Sequence, residues 1–490
     1  MSTVDATREQ AVLADVPKQL LIGGSWRDGS KGVLAVEDPA TGETLCEVAD
    51  ASVDDAKAAM GAADEAFATF KTMAPRERSD ILRRSYDLMI ERLDDLALLM
   101  TLEMGKPVAE SKAEITYAAN FFRWYSEEAV RIDGRYAVNE SGVGRMMTMR
   151  QPVGPCLFIT PWNFPMAMGT RKIGPAIATG CTCVVKPAKQ TPLSMLMLGS
   201  ILAEAGLPDG VVNILTARSS GSIMEPLIRD PRLRKLSFTG STEVGRTLIE
   251  QGADQILRVS MELGGNAPFL IFEDADLDAA VEGAMIAKMR NGGEACTAAN
   301  RFHVHESVAS EFAEKLAGRM SELKVGRGTD PGVNVGPLID EAQRSKVAEL
   351  VDDAKQRGAT IAVGGERVDG PGYFYAPTVV TDVPDDAAFL KEEIFGPVAP
   401  VRGFSSEDEA IRWANNTEYG LVAYVFTQDI NRAFRVIEQL DTGMIGLNQG
   451  LVSNAGAPFG GVKHSGYGRE GGAEGLHEYL ETKYVALNVP

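Results

Sequence analysis

Cys296 sits in Asn291-Gly-Gly-Glu-Ala-Cys-Thr-Ala-Ala-Asn-Arg301, behind two glycines and a carboxylate. A thiol that only fills space lies in an apolar run, as Cys156 does in Val153-Gly-Pro-Cys-Leu-Phe-Ile159. A polar, flexible loop displays its thiol instead, which is how a nucleophile is offered. Met261-Glu262-Leu-Gly-Gly-Asn266 ends an apolar strand on a carboxylate. Dry surroundings would raise its pKa toward that of a general base working near neutrality; a helix cap or a salt-bridged Glu is the competing reading. Asn163, in Pro161-Trp-Asn-Phe-Pro165, follows another strand and is held between rings and prolines. Its amide suits an oxyanion or, equally, a turn cap.

Two further strand ends could hold an anion. Phe238-Thr-Gly240-Ser241-Thr-Glu-Val-Gly245 joins a strand to a helix with small residues, where backbone N–H groups approach a phosphate. It is not the G-x-G-x-x-G fingerprint, and Arg246 stands where a P-loop needs Lys, so a nucleotide triphosphatase is disfavoured. A tight turn with glycines for geometry explains it as well. Val185-Lys186-Pro-Ala-Lys189 adds two ammonium groups that suit a phosphorylated ribose or are simply solvated.

The elements that must position these residues read as two α/β series. Apolar positions at helical spacing run through 76–104 and stop at Gly105 and Pro107. From Val153, apolar runs at 153–160, 182–186, 211–215, 235–239 and 257–262 alternate with helical segments near 166–179, 193–205, 219–229 and 243–252. That rhythm implies right-handed crossovers and a parallel sheet covered on both faces. A second series opens with a strand at 267–272, a helix near 275–290, a strand at 301–305 and a helix at 307–322, and continues to about 447. Ligand sites in such folds lie beyond the carboxyl ends of strands, often at domain junctions. Residues 131–150 read as a projecting hairpin and Glu478–Asn488 as a further strand. Two strands outside the core need partners, which points to an oligomer interface.

The 490 residues exceed one hydrophobic core, so two or three domains are expected. A formal charge of −19, from 68 acidic against 49 basic residues, argues against nucleic acid or an anionic membrane as partner. Met1–Gln19 has no signal-peptide run, and no apolar stretch approaches the roughly 18 residues of a membrane span, so a cytoplasmic protein is expected. Five cysteines, three of them in apolar runs, suit a reducing compartment without structural disulfides. His303 and His305 share one face of a strand, and without a third ligand nearby a plain surface strand is preferred over a metal site. No metal is expected.

Order and spacing settle what each motif leaves open. Pro161-Trp-Asn-Phe-Pro, Lys186-Pro, Phe238-Thr-Gly-Ser-Thr-Glu-Val-Gly, Glu262-Leu-Gly-Gly, Asn291-Gly-Gly-Glu-Ala-Cys, Glu392-Glu-Ile-Phe-Gly-Pro and Pro458-Phe-Gly-Gly-x-Lys463-x-Ser465-Gly run in sequence along the chain. In them the chain resembles the aldehyde dehydrogenase superfamily over nearly its whole length. The resemblance implies two doubly wound α/β domains with a small β-strand oligomerisation arm. The dinucleotide-binding domain would comprise 1–130 and 151–256, the catalytic domain 257–465, and the arm 131–150 with 475–490, in a homodimer or homotetramer.

It further implies that Cys296 attacks an aldehyde carbon, that Asn163 and the Cys296 backbone N–H hold the oxyanion, and that Glu262 activates the water that hydrolyses the resulting thioester. A free thiol with pKa near 8.5 is only a few per cent ionised at pH 7, so activation is required. Members that acylate coenzyme A typically lack the Glu, so hydrolysis is favoured. For the cofactor the family pattern assigns Trp162, Lys186, Gly240, Ser241, Glu393 and Phe395. Relatives that use NAD often carry Glu where this chain has Lys189, so NADP is preferred over NAD. Arg171, Arg290 and Ser453 resemble the set with which the succinate-semialdehyde dehydrogenase branch binds the far carboxylate of its substrate; glutarate semialdehyde or another short aldehyde is the alternative. Alone, either arginine is as well read as a surface residue of an amphipathic helix. Two departures stand out. Glu294 replaces a common Gln and, as a nearby anion, would raise the Cys296 pKa, while Ala298 removes a second cysteine that can form a regulatory disulfide.

Overall fold

The computed structural model describes residues 6–488. The calls on Met1–Asp5 and on residues 489 and 490 lie outside them. The first parallel series forms one sheet in the order Gly466–Tyr467, Arg258–Glu262, Lys235–Thr239, Cys156–Ile159, Cys183–Lys186, Val212–Ile214, Leu20–Ile22, Ser25–Arg27. Its five central strands are parallel. All four residues of Cys156–Ile159 are buried because helices cover both faces. Cys156 and Phe158 pack into one apolar cluster, Leu157 and Ile159 into the other. Each such side chain contributes about 1.5–3 kcal/mol by leaving water.

From Cys156–Ile159 the chain moves outward to Cys183–Lys186 and Val212–Ile214, then returns to Lys235–Thr239 on the opposite side. The strand order therefore reverses at Cys156–Ile159, and a crevice opens beyond its carboxyl end. Asn163 and Gly240 both lie there. Arg258–Glu262 pairs with Lys235–Thr239, so the apolar run expected at 257–262 is a strand of the first sheet.

The second sheet has the order Thr360–Val363, Thr378–Thr381, Val398–Phe404, Ala299–His305, Ala267–Ile271, Val422–Phe426, Met444–Leu447, parallel except for its first pair. Ala299–His305 is central and buried, which corrects the surface strand expected around His303. His303 packs against Trp413 within the fold, and His305 caps the helix Glu306–Ser321. The hairpin expected at 131–150 is Arg135–Val138 with Arg145–Pro152, and the tail strand Leu480–Leu487 pairs along the whole of Arg145–Pro152. The two extra strands thus satisfy each other, contrary to the expectation that both lack partners.

Two helical readings also change. The stretch 76–104 is two helices, Pro75–Glu91 and Leu93–Met104, broken at Arg92 (φ −100°, ψ 18°). The second turns inward and is buried from Leu96 onward. Pro107 does not only end a helix: it caps a further one, Val108–Glu128, which crosses behind the crevice.

Candidate active site

The helix Leu277–Met289 ends at Arg290, after which Asn291, Gly292 and Gly293 take left-handed backbone (φ 55°, 60° and 80°). A Cβ on Gly293 would stand 2.1 Å from the Gly396 carbonyl oxygen, so only glycine passes there. The loop is bonded on every side. The Asn291 backbone N–H donates to Glu110 (2.7 Å), and its Nδ2 donates to the carbonyls of Asn163 and Glu294 (both 3.0 Å). Lys106 Nζ donates to the Asn163 carbonyl (2.7 Å) and to Glu114 (2.6 Å). Ala295 and Ala298 sink into the core on either side of the half-buried Cys296. The expectation of a flexible loop is corrected: the thiol is displayed by a rigid one.

Asn163 Nδ2 donates to the Glu294 carbonyl (3.0 Å), which leaves its second N–H for another acceptor beside the loop. A Cβ on Gly265 would lie 2.6 Å from the Cys296 carbonyl oxygen, and this close approach brings the Glu262–Asn266 segment against the nucleophile loop. Burial pushes the Cys296 thiol up to about 12; Arg171 and Arg290 pull it down, Glu262 and Glu393 push it further up. Glu294 is not among the charges that act most on the thiol. It turns its carboxylate to the Ile339 backbone N–H (3.1 Å), and burial raises it well above the usual carboxylate range.

Glu262 is buried and its Oε2 has no hydrogen-bond partner. Burial first, then the charge of Glu470, raises its pKa; Arg171, Lys172 and Arg469 oppose this. Glu470 itself is the residue that sequence reading missed. It forms ion pairs with both Arg171 and Lys172 in the interior. It stands 298 residues from Lys172 in the chain, and no local pattern marks the pairing.

The residues expected to bind a far carboxylate lie on separate elements. Arg171 is buried on the helix Ala167–Thr179 with its guanidinium over Phe459 (4.0 Å). It arrives already paired with Glu470, while its Nη2 has no hydrogen-bond partner. Arg290 donates from Nη1 to Ser453 Oγ (2.9 Å) and lies over Phe164 (4.7 Å). Neither arginine is the surface residue that helix amphipathicity alone allows. Arg290, Ser453, Phe164 and Tyr117 line a cavity of about 460 Å³, and Tyr117 and Ser453 also line an outer one of about 530 Å³.

The crevice holds the groups suited to a cofactor. Lys186 is buried at its strand end, and burial, helped by Lys189, lowers it to about 8. It has no carboxylate partner among the described residues, which fits an ammonium awaiting a polar ligand. Lys189 is exposed and lines a cavity of about 420 Å³ with Arg218. Gly240 donates its N–H to the Glu262 carbonyl (3.0 Å), and a Cβ there would meet the Phe238 ring at 2.4 Å. Ser241 caps the helix Thr242–Ala253. Glu393 accepts from the Gly265 N–H (3.1 Å) and is raised to about 7 by burial. Phe395 (φ 54°) sets its ring edge-on to Trp162, 5.3 Å between centroids.

A thiol, an amide and a buried carboxylate meeting between two doubly wound sheets define a class of enzyme. The chain belongs to the aldehyde dehydrogenase family, whose model matches residues 26–485. It is 56% identical over 446 residues to a succinate-semialdehyde dehydrogenase of Paenarthrobacter nicotinovorans, covering 91% of this chain and 99% of that one. It is 49% identical to a glutarate-semialdehyde dehydrogenase of Pseudomonas putida, covering 96% and 98% of the two chains. The fold superposes on an NADP-dependent enzyme of Escherichia coli with a TM-score of 0.96 at 48% identity, covering 100% of both chains. No helix among the described residues is long and apolar enough to cross a membrane.

Proposed function

We propose that this aldehyde dehydrogenase oxidises succinate semialdehyde to succinate, with NADP preferred over NAD. Cys296 Sγ attacks the aldehyde carbon as the thiolate, its proton having passed to solvent water. Asn163 Nδ2 and the Cys296 backbone N–H hold the oxyanion of the thiohemiacetal, a preorganised pair that costs no reorganisation as charge develops. Glu393 and Phe395 would hold a nicotinamide, which would supply the acceptor for the hydride lost from the thiohemiacetal carbon, and a thioester would stay on Cys296. Glu262, once ionised, takes a proton from water, which attacks the thioester carbonyl; the acid leaves and the thiol is restored. Lys186 would hold the adenosine ribose, Gly240 and Ser241 the pyrophosphate, and Lys189 the 2′-phosphate that distinguishes NADP.

The observation that supports the substrate assignment is the pair Arg290–Ser453 at the wall of one cavity, with Arg290 and Arg171 both near enough to act on the Cys296 thiol. Charge-assisted bonds of about 1.5–3 kcal/mol each would anchor a far carboxylate there. The 49% identity to a glutarate-semialdehyde dehydrogenase favours the C5 homologue as second reading, since one methylene changes binding by only about 1–3 kcal/mol. Steady-state kcat/KM on the C4 and C5 semialdehydes and on propanal decides: C4 highest is expected, and a neutral aldehyde turned over as well removes the arginine assignment. The same reading extends to a cytoplasmic homo-oligomer, dimer or tetramer. The exposed Tyr136, Val138, Met149 and Tyr484 of the three-stranded arm support a partner surface there.

A further inference from the structure

The helix Val108–Glu128 carries a side chain that no motif marks. Tyr117 lines both the inner and the outer cavity, its ring set edge-on to Phe121 (4.9 Å between centroids) and facing the Arg290 guanidinium (5.8 Å). Its hydroxyl is buried beside Ser453, and no hydrogen bond of good geometry satisfies it among the described residues. Buried polar groups are almost always bonded, so an orphan at the wall of a cavity calls for a partner that enters.

What surrounds it selects that partner. Arg171, Arg290 and Ser453 are the groups that act favourably on an ionised Tyr117 oxygen. The two arginines can only donate. Ser453 Oγ already accepts from Arg290 Nη1 and keeps its own O–H to give. Glu470 is the nearby acceptor, and it is taken up by Arg171 and Lys172. Glu110, on the same helix, receives the Asn291 N–H, and Glu114 receives Lys106 with the Met166 and Ala167 N–H groups. The tyrosine is therefore mounted on a helix clamped to the nucleophile loop, where donors predominate and the second lone pair of Ser453 Oγ is the acceptor beside it.

We infer that the Tyr117 hydroxyl donates to the far carboxylate of the substrate, completing with Arg171, Arg290 and Ser453 the set that selects an aldehyde acid. This rests on the far-carboxylate reading above and names a specificity residue within it. Two carboxylate oxygens offer about four lone-pair sites, enough for the donors gathered here. Tyr117 touches the end of the substrate remote from the reacting carbon, so it governs binding more than turnover.

The test is Tyr117→Phe, which keeps the ring contacts and removes only the hydroxyl. With saturating NADP, KM for succinate semialdehyde rises about tenfold or more while kcat changes less than about twofold, as expected for losing one bond to a charged group. For butanal, which has a methyl group in place of the carboxylate, kcat/KM stays unchanged. Succinate, as a competitive inhibitor of the wild type, weakens by the same factor, a binding readout independent of turnover. Unchanged KM and succinate inhibition, in an enzyme whose wild type prefers succinate semialdehyde over butanal, overturn the Tyr117 assignment alone. Equal losses on both aldehydes also overturn it and leave the ring a packing role. A wild type that handles both aldehydes equally removes the far-carboxylate reading, and Tyr117 with it.

Discussion

The reacting and recognising ends of the substrate path are built on opposite electrostatic logic. Around Cys296, burial raises the thiol first, and groups of both signs then oppose one another: Arg171 and Arg290 lower it, Glu262 and Glu393 raise it further. Chemistry there responds to pH. At Tyr117, Arg290 and Ser453 the side chains are mostly donors, Ser453 Oγ also accepting from Arg290 Nη1. On the proposed function, the reacting end shifts protons, whereas the recognising end offers donors to an anion. A change at the first should therefore alter kcat and its pH profile; one at the second should alter KM and substrate choice.

The sharpest break of that contrast is Cys296→Ala. NADPH formation, followed by absorbance, should fall about 10³-fold or more on every aldehyde, and rates equal to wild type would remove Cys296 from the mechanism. Glu262→Gln should lower steady-state turnover about 10²-fold. A rapid burst of NADPH from the first half-reaction should survive, because the Glu acts on the thioester; loss of the burst along with turnover would place Glu262 in the first step instead. Lys189→Glu should shift the NADP to NAD ratio of kcat/KM by about tenfold or more toward NAD without altering aldehyde choice. No shift refutes the role of that ammonium.

The pH profile carries the smallest and most graded effect. Glu262 works as a base only when ionised, and burial with Glu470 raises its pKa. Acidification therefore protonates it well above the ordinary Glu value of about 4.3, and thioester hydrolysis should decline as pH falls through neutrality. Measured kcat against pH should show an acid limb that Glu262→Gln abolishes; a limb near the ordinary Glu value would contradict a dry site.

Much of this arrangement is legible in the sequence because strand ends carry local signatures. The apolar runs at 156–159, 183–186, 235–239 and 258–262 mark where backbone emerges into the crevice, and Asn163, Lys186, Gly240 and Glu262 follow them directly. What escapes is set by tertiary contact. Glu470 pairs with residues about 300 positions away, and Tyr117 sits on a helix hidden behind a proline that reads as a stop when it is in fact a cap. Glu294 was legible as a carboxylate beside the thiol, but not the turn that hands it to Ile339 or the burial that raises its pKa. The rigidity of the Cys296 loop is likewise invisible locally, since its bonds come from Glu110, Asn163 and Lys106.

The central claim is that a fixed cationic end selects an aldehyde bearing a far carboxylate. Its most direct test is the ratio of kcat/KM for succinate semialdehyde to that for butanal, in the wild type and in Arg290→Met. The wild-type ratio should exceed about 10² and fall toward unity in the variant, with butanal turnover retained. A wild-type ratio near unity, or one that Arg290→Met leaves intact, would contradict it.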